Sequence, residues 1–393
     1  MAERLAKGMG LPSSIDYLHR LIAFPTVSRD SNLALIAYAR AELEAAGARC
    51  RVVESEDKRK ANLFATLGPD DRPGIVLSGH TDVVPTEGQA WSSDPFQLRT
   101  AGGKLFGRGS ADMKGFIAST LRLFRAAEGV ALAVPLHLAL SYDEEVGCLG
   151  VRRLIAVMKD MPVRPRFCIV GEPTSLTVVT AHKGKVGRRV HCKGLEAHSS
   201  LAPLAVNAVH LACDLIGDIR RIQAEIAASG HRDGDYEVPY TTLHAGNIAG
   251  GEVINIVPNS CRFDYEIRHI PEDEPQAIVQ RIEQAAAGIV AQARKVFAGA
   301  DIVFEPTTGY PAMDTPTDSE VVAFVASLAG SNSTGKISFG TEGGLFQGEL
   351  GIPTVVCGPG NIAVAHKPDE YIEESQMAAC DRFLDRLLHR LRA

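Results

Sequence analysis

IVLSGHTDVVP at residues 75–85, followed after a linker by GRGSADMKG at 107–115, is the stretch on which the fold turns. Ile75-Val76-Leu77 is a short continuous apolar run of the kind that makes a buried parallel strand. Ser78-Gly79 ends it, and His80 and Asp82 follow at the strand's carboxyl end, where open α/β sheets hold their ligands. Residues two apart in extended chain point the same way. Asp82 is therefore placed to accept one ring N–H of His80 and leave the other nitrogen for a metal. Asp112 follows a Gly-rich turn and precedes a helical run from Met113 to about Ala127. The set reads as a metal site, and equally as a satisfied core histidine with a helix-capping aspartate. These residues alone do not separate the two.

The pattern around that strand is alternating. Helical periodicity at 14–23 and 32–46 precedes strand patterns at 49–53 and 62–67. Beyond the helix after Asp112 come a strand at 136–141, a helix at 149–159 and a strand at 167–170. Strand and helix in alternation are the mark of a three-layer α/β domain. Near residue 183 the order changes to β-α-β-β-α-β: strands at 185–192, 241–248, 261–267 and 302–305, with long helices at 203–227 and 274–297. That is the ferredoxin-like split motif. YPAMDTP (310–316) returns the chain to α/β pattern, with a helix at 318–328, a strand at 353–357 and a final helix from about Glu374. The expected fold class is thus α/β: a three-layer catalytic domain from 1–182 and 312–393, with a ferredoxin-like domain at 183–311 inserted into it.

Composition narrows the function. A chain of 393 residues, 45% hydrophobic and 22% charged, is an ordinary globular protein large enough for two domains. Its net charge of -6 argues against nucleic acid or an anionic membrane as the main partner. MAERLAKGMGLPSS lacks the apolar centre of a signal peptide, and no apolar run approaches a membrane span. The eight cysteines form no CxxC pair, so they read as small buried residues in a reducing cytoplasm.

Three more polar groups fall just beyond expected strand ends. Asp143-Glu144-Glu145 follows 136–141, Gly171-Glu172-Pro173 follows 167–170, and His366 follows Cys357-Gly-Pro-Gly. With His80 and Asp112 they make an N/O donor set suited to zinc, cobalt or manganese, and large enough for two ions. Adjacent in extended chain, Glu144 and Glu145 face opposite ways, so one can bind metal while the other addresses water. Each element alone is weak, but their common register with strand ends favours the metal reading.

These motifs resemble those of the M20 metallopeptidase and deacylase family. SGHTDVVP, GRGSADMKG, the Glu144-Glu145 pair, GEP at 171–173 and the histidine of AHKPDEY carry the resemblance, which covers essentially the whole chain. It implies that His80, Asp112, Glu145, Glu172 and His366 bind two divalent ions, zinc with cobalt as the alternative, Asp112 bridging them. It further implies that Asp82 orients His80 and that Glu144 is the general base. FGTEGGLFQ (339–347) and CGPGNIAVAHKPDEYI (357–372) are most similar to the bacterial branch that deacetylates N2-acetyl-L-ornithine in arginine synthesis. Desuccinylation of succinyl-diaminopimelate or hydrolysis of another N-acyl amino acid is the rival activity, and a metal-free binding protein on the same fold the rival of another class. Gly343 departs from the family, where alanine is more frequent.

For substrate the resemblance suggests Arg268, with Asn255 of NIVP beside it, as the site for the α-carboxylate; without it, Arg268 reads as a surface salt bridge. Glu342 either faces the substrate side chain or braces its loop. His198, in GLEAHSS, matches a family histidine that donates to the substrate carbonyl from the other subunit of a dimer. The expected partners are accordingly a small N-acyl amino acid and a second copy of the chain, joined through the lid domain.

Overall fold

The computed structural model describes residues 11–393 apart from Asn332. Residues 1–10, most of MAERLAKGMGLPSS, lie outside the described residues, and with them the expectation of no signal peptide. The chain divides into two compact units. One comprises residues up to Ala181 with Met313–Lys336 and Thr341–Ala393, and the other His182–Ala312 with Ile337–Gly340.

The first unit is built on a mixed nine-stranded sheet. Its centre is four neighbouring parallel strands in the spatial order Leu136–Ser141, Ile75–His80, Phe167–Pro173, Thr354–Gly358. Every residue of these four strands is buried, as parallel strands covered on both faces must be. Leu77, Leu138, Ile169 and Val355 belong to one core cluster with side chains of helices Ser14–Ile22, Leu33–Ala45, Gly115–Ala126, Glu320–Ala329 and Glu374–Leu391. Helix Val151–Lys159 packs on strands Ala61–Leu67 and Leu136–Ser141 through Val151, Leu154, Ile155 and Met158, one face of a 3.6-residue repeat outside that cluster. The unit therefore has the three layers expected. Antiparallel strands Arg49–Glu54 and Ala61–Leu67 extend the sheet on one side, and Val178–His182 and Met313–Asp314 on the other.

A small antiparallel sheet joins Arg99–Ala101 and Lys104–Phe106, both in what the sequence presents as a linker, to Tyr371–Glu373. Its strands are three residues long with little alternation, below what periodicity can register. It matters because it fastens the GRGSADMKG turn to the segment after His366: the Gly107 N–H donates to the Glu370 carbonyl at 2.9 Å.

The second unit has the β-α-β-β-α-β order. Its four strands are all antiparallel, arranged Thr242–Gly250, Ser260–His269, Gly184–Lys193, Asp301–Tyr310. Val190, Cys192, Phe263, Tyr265 and Ile267 form its core with helices Ala208–Ser229 and Pro275–Ala293. The alternate residues carry cross-strand ion pairs, Arg189 meeting its register partner Asp264 at 2.8 and 3.1 Å. Among the described residues no helix is long and apolar enough to cross a membrane.

Candidate metal centre

The four central parallel strands bring their carboxyl ends together, and each delivers a donor there. His80 ends its strand with 1% of its surface exposed. Its Nε2 lies 3.0 Å from Asp112 Oδ1 and 3.6 Å from Glu172 Oε1. His366 approaches the other oxygen of Asp112: Nε2 is 3.2 Å from Oδ2 and 3.1 Å from Glu145 Oε2. Two groups of three result, His80/Asp112/Glu172 and Asp112/Glu145/His366, with the donor atoms of each within 4.8 Å of one another. Asp112 belongs to both and turns one oxygen to each.

The ring of His80 is oriented differently from the sequence expectation. Nδ1 is 2.9 Å from the main-chain carbonyl of Asp82, and its carboxylate is farther away at 3.6 Å. The N–H donated to that carbonyl still leaves Nε2 unprotonated in the neutral imidazole, as a ligand requires. The Asp82 carboxylate is occupied elsewhere: it accepts the N–H groups of Glu144 at 3.1 Å and Glu145 at 3.3 Å, and the hydroxyl of Ser28 at 2.8 Å. Glu144 and Glu145 part by a turn rather than by extended alternation. Asp143 has φ 56°, and the Glu144 carbonyl accepts the N–H groups of Gly147 and Cys148, both at 2.8 Å. Glu145 reaches His366, while Glu144 stands apart from both triads and accepts the Cys148 thiol at 3.3 Å.

The charge balance shows what this cluster fits. Asp112, Glu144, Glu145 and Glu172 crowd together with two imidazoles as their nearest counter-charges. Burial pushes Glu144 up to about 8, with Glu145 and Glu342 adding to it. Burial and then Asp112 push Glu145 up to about 7, and they raise Glu172 well above the usual carboxylate range. Hydrogen bonds donated to the carboxylates of Asp112 and Glu145 hold His366 up to about 10. Uncompensated buried charge is expensive. Nitrogen and oxygen donors in two triads around a shared carboxylate would be balanced by two divalent cations, and the residues fit such a pair.

The other residues singled out from sequence fall in three places. Glu342 is 1% exposed, and its Oε2 accepts from Ser78 Oγ at 3.1 Å. That bond is the contact a loop brace would make, and it engages one of the two carboxylate oxygens. At the adjoining Gly343 a Cβ would stand 2.7 Å from Met313 Sδ, so the alanine more frequent in the family would require that side chain to shift. In the second unit Arg268 donates to Glu266 at 2.9 Å and to the Tyr310 hydroxyl at 2.5 Å, so the salt bridge is made.

Asn255 is not beside Arg268. Residues 255–259 prolong the pairing of strands Ser260–His269 and Gly184–Lys193 past Ser260, while Arg268 pairs with Lys185 at the far end. The eight steps from Ser260 to Arg268 alone span roughly 27 Å at about 3.4 Å per residue. Asn255 instead adjoins His198, its carbonyl accepting the Ser199 N–H at 2.9 Å. The Ser200 N–H donates to His198 Nδ1 at 3.2 Å. The neutral ring therefore carries its proton on Nε2, an exposed donor.

The model of Peptidase family M20/M25/M40 matches residues 76–390. The chain belongs to this family. It is 35% identical over 381 residues to an acetylornithine deacetylase of Myxococcus xanthus, covering 96% of this chain and 97% of that protein. Its fold is that of an M20 family metallo-carboxypeptidase from Sulfolobus solfataricus, with a TM-score of 0.76 at 17% identity over 96% of this chain and 98% of the other. A dinuclear metal binding M20 peptidase from Bacillus subtilis superimposes with a TM-score of 0.66 at 15% identity, over 96% and 97%.

Around this M20 centre the structure adds supporting residues to which the motifs assigned no role. Lys60 bridges the Asp143 carboxylate, at 2.5 Å, and the Ser28 carbonyl, bracing the turn that carries Glu144 and Glu145. Nothing in its setting, DKRKAN, separates it from a surface lysine. Glu370 is 1% exposed and its Oε1 accepts the N–H groups of Ala111 at 2.9 Å and Asp112 at 3.1 Å. It lies within AHKPDEY, a stretch quoted above for its histidine alone.

Proposed function

We propose that the protein is a di-metal amidohydrolase that removes the acetyl group from N2-acetyl-L-ornithine, giving L-ornithine and acetate. The observation that carries the reading is the carboxylate of Asp112, one oxygen toward His80 and the other toward His366. His80, Asp112 and Glu172 would hold one ion, and Asp112, Glu145 and His366 the other. Two divalent ions so held, zinc with cobalt as the alternative, would supply a water of lowered pKa and charge to polarise the amide carbonyl. Glu144 takes the proton as the water oxygen attacks the amide carbon. It then returns that proton to the nitrogen as the C–N bond breaks, leaving acetate and a free amine. No covalent acyl-enzyme is required.

The choice of substrate is supported by the Myxococcus xanthus relative at 35% identity. Arg268 would engage the α-carboxylate with the guanidinium N–H groups not given to Glu266 and Tyr310. His198, donating through Nε2, would stabilise the oxyanion, and Asn255 would act beside it. The separation of Asn255 and His198 from Arg268 supports a homodimer in which the ferredoxin-like domain, 183–311, closes as a lid and lends His198 to the neighbouring site. Residues 1–182 and 312–393 would be the catalytic domain. The reading places the enzyme in the cytoplasm, with arginine synthesis. The test is acetate release from a panel of N-acyl amino acids, with and without chelator. A chelator-insensitive reaction, or no turnover of any N-acyl amino acid, would end the proposal, and preference for a succinylated substrate would reassign it within the family.

A further inference from the structure

We infer that Arg108 is a positioning residue that fixes the spacing between Asp112 and His366, by two arms running from its guanidinium to the main chain of each. The inference rests on the metal-centre reading above. Arg108 is 1% exposed, and a guanidinium taken out of water must be paired closely. Its Nη1 donates to Glu370 Oε2 at 2.6 Å and its Nη2 to Gln89 Oε1 at 2.5 Å. The indole of Trp91, its centroid 5.0 Å from the guanidinium carbon, covers it.

Each partner passes the constraint on. Through its second oxygen, Glu370 holds the N–H groups of Ala111 and Asp112. Gln89 donates from Nε2 to the His366 carbonyl at 2.9 Å. Trp91 Nε1 donates to the same Gln89 oxygen at 3.0 Å, so the amide cannot flip without losing both donors. Asp112 Oδ2 and His366 Nε2 then meet at 3.2 Å and close the ring: Arg108, Glu370, Asp112, His366, Gln89 and back. A planar fork spans two acceptors at fixed separation, which the point charge of a lysine does not. The segments are also joined independently of Arg108. Asp369 accepts from Ser92 N at 3.0 Å and Oγ at 2.8 Å, and the small sheet ties 104–106 to 371–373. Cutting one arm should therefore re-aim His366 without unfolding the turn.

The experiment is a competition titration of zinc and of cobalt against a chromophoric chelator, with wild type, Gln89→Ala and Arg108→Lys, beside thermal melts of the metal-free proteins. Gln89 is half-buried, so Gln89→Ala should leave the melt unchanged and weaken one metal equivalent about 10–100-fold. Arg108→Lys keeps the charge but loses the fork, and should weaken the same equivalent to a similar degree. If wild type binds two equivalents and both variants bind them as tightly, Arg108 is only a buried ion pair and the inference fails. Should Arg108→Lys not fold, Gln89→Ala alone still decides. A wild type that takes up no metal would remove the metal-centre reading itself, a distinct result.

Discussion

The carboxylate of Asp82 receives the main-chain N–H of Glu144 at 3.1 Å, and its other oxygen receives that of Glu145 at 3.3 Å. One side chain thus sets the turn that presents both the expected base and an expected ligand. Asp82→Asn puts an NH2 group where one of two amide donors needs an acceptor. It should lower turnover about 10–100-fold and weaken metal binding together, the usual cost of losing a residue that orients ligands. Ser28→Ala removes only a donor to Asp82 and should do far less. Parallel kinetics and metal titration check this, and equal effects of the two substitutions would contradict it.

Glu144 and Glu145 should separate cleanly. Glu144→Gln is expected to keep both metals and lose about 10²–10⁴-fold in kcat, the range for a general base. Glu145→Gln removes a donor that reaches His366 at 3.1 Å and should lose occupancy of one site. Metal analysis of both variants, paired with steady-state rates, decides it. Near-native turnover by fully loaded Glu144→Gln would assign the base elsewhere.

The ends of the central strands could be read from sequence because a strand buried on both faces is an unbroken apolar run, and a polar residue closing that run stands out. His80 and Glu172 are such residues. Asp82 was harder: the His80 ring meets its main-chain carbonyl, and side-chain periodicity does not register a main-chain acceptor. The Arg108 ring left no signal, since its members come from segments far apart in sequence and share no period. The separation of Asn255 from Arg268 was likewise invisible, because the loop 251–258 leads away from strand Ser260–His269 at the end opposite Arg268.

Glu342 should not govern side-chain choice. Its carboxylate is bonded to Ser78 beneath the site, with its pKa pushed up to about 7 by burial. Glu342→Gln is expected to leave the ratio of kcat/KM for acetylornithine over acetylnorleucine unchanged. A ratio shifted tenfold toward acetylnorleucine would restore the substrate-facing role.

His137 makes stability depend on pH away from the metal centre. It is buried between strands, hydrogen-bonded to Thr66 Oγ1 at 2.8 Å and stacked on Phe64. Burial lowers its pKa from the ordinary 6.5 to about 4. A base whose folded pKa is depressed stabilises the fold fully above 6.5 and progressively less as pH falls toward 4, because only the unfolded chain takes the proton. The full shift corresponds to about 3 kcal/mol. Denaturant titrations at pH 7.5 and 4.5, with chelator throughout, should show wild type losing more stability than His137→Gln by about 2–3 kcal/mol. Equal losses would rule His137 out.

His198 supplies the test of the dimer. Its Nδ1 is committed to Ser200, so the neutral ring offers a proton from Nε2, and the side chain is exposed. Around it Leu201, Leu204, Val253, Ile254 and Ile256 are also exposed, Ile254 at 98%, an apolar group that a soluble chain is expected to cover. If a second copy covers it, His198 is carried to a neighbouring centre and removing it costs about 10²–10³-fold in turnover. A His198→Ala chain and a Glu144→Gln chain, each nearly inactive alone, should then form mixed dimers with one working site. In a 1:1 mixture half the dimers are mixed and each has one good site of two, so activity should return to about a quarter of wild type. Demonstrated mixed dimers without recovered activity would show that His198 does not act across subunits.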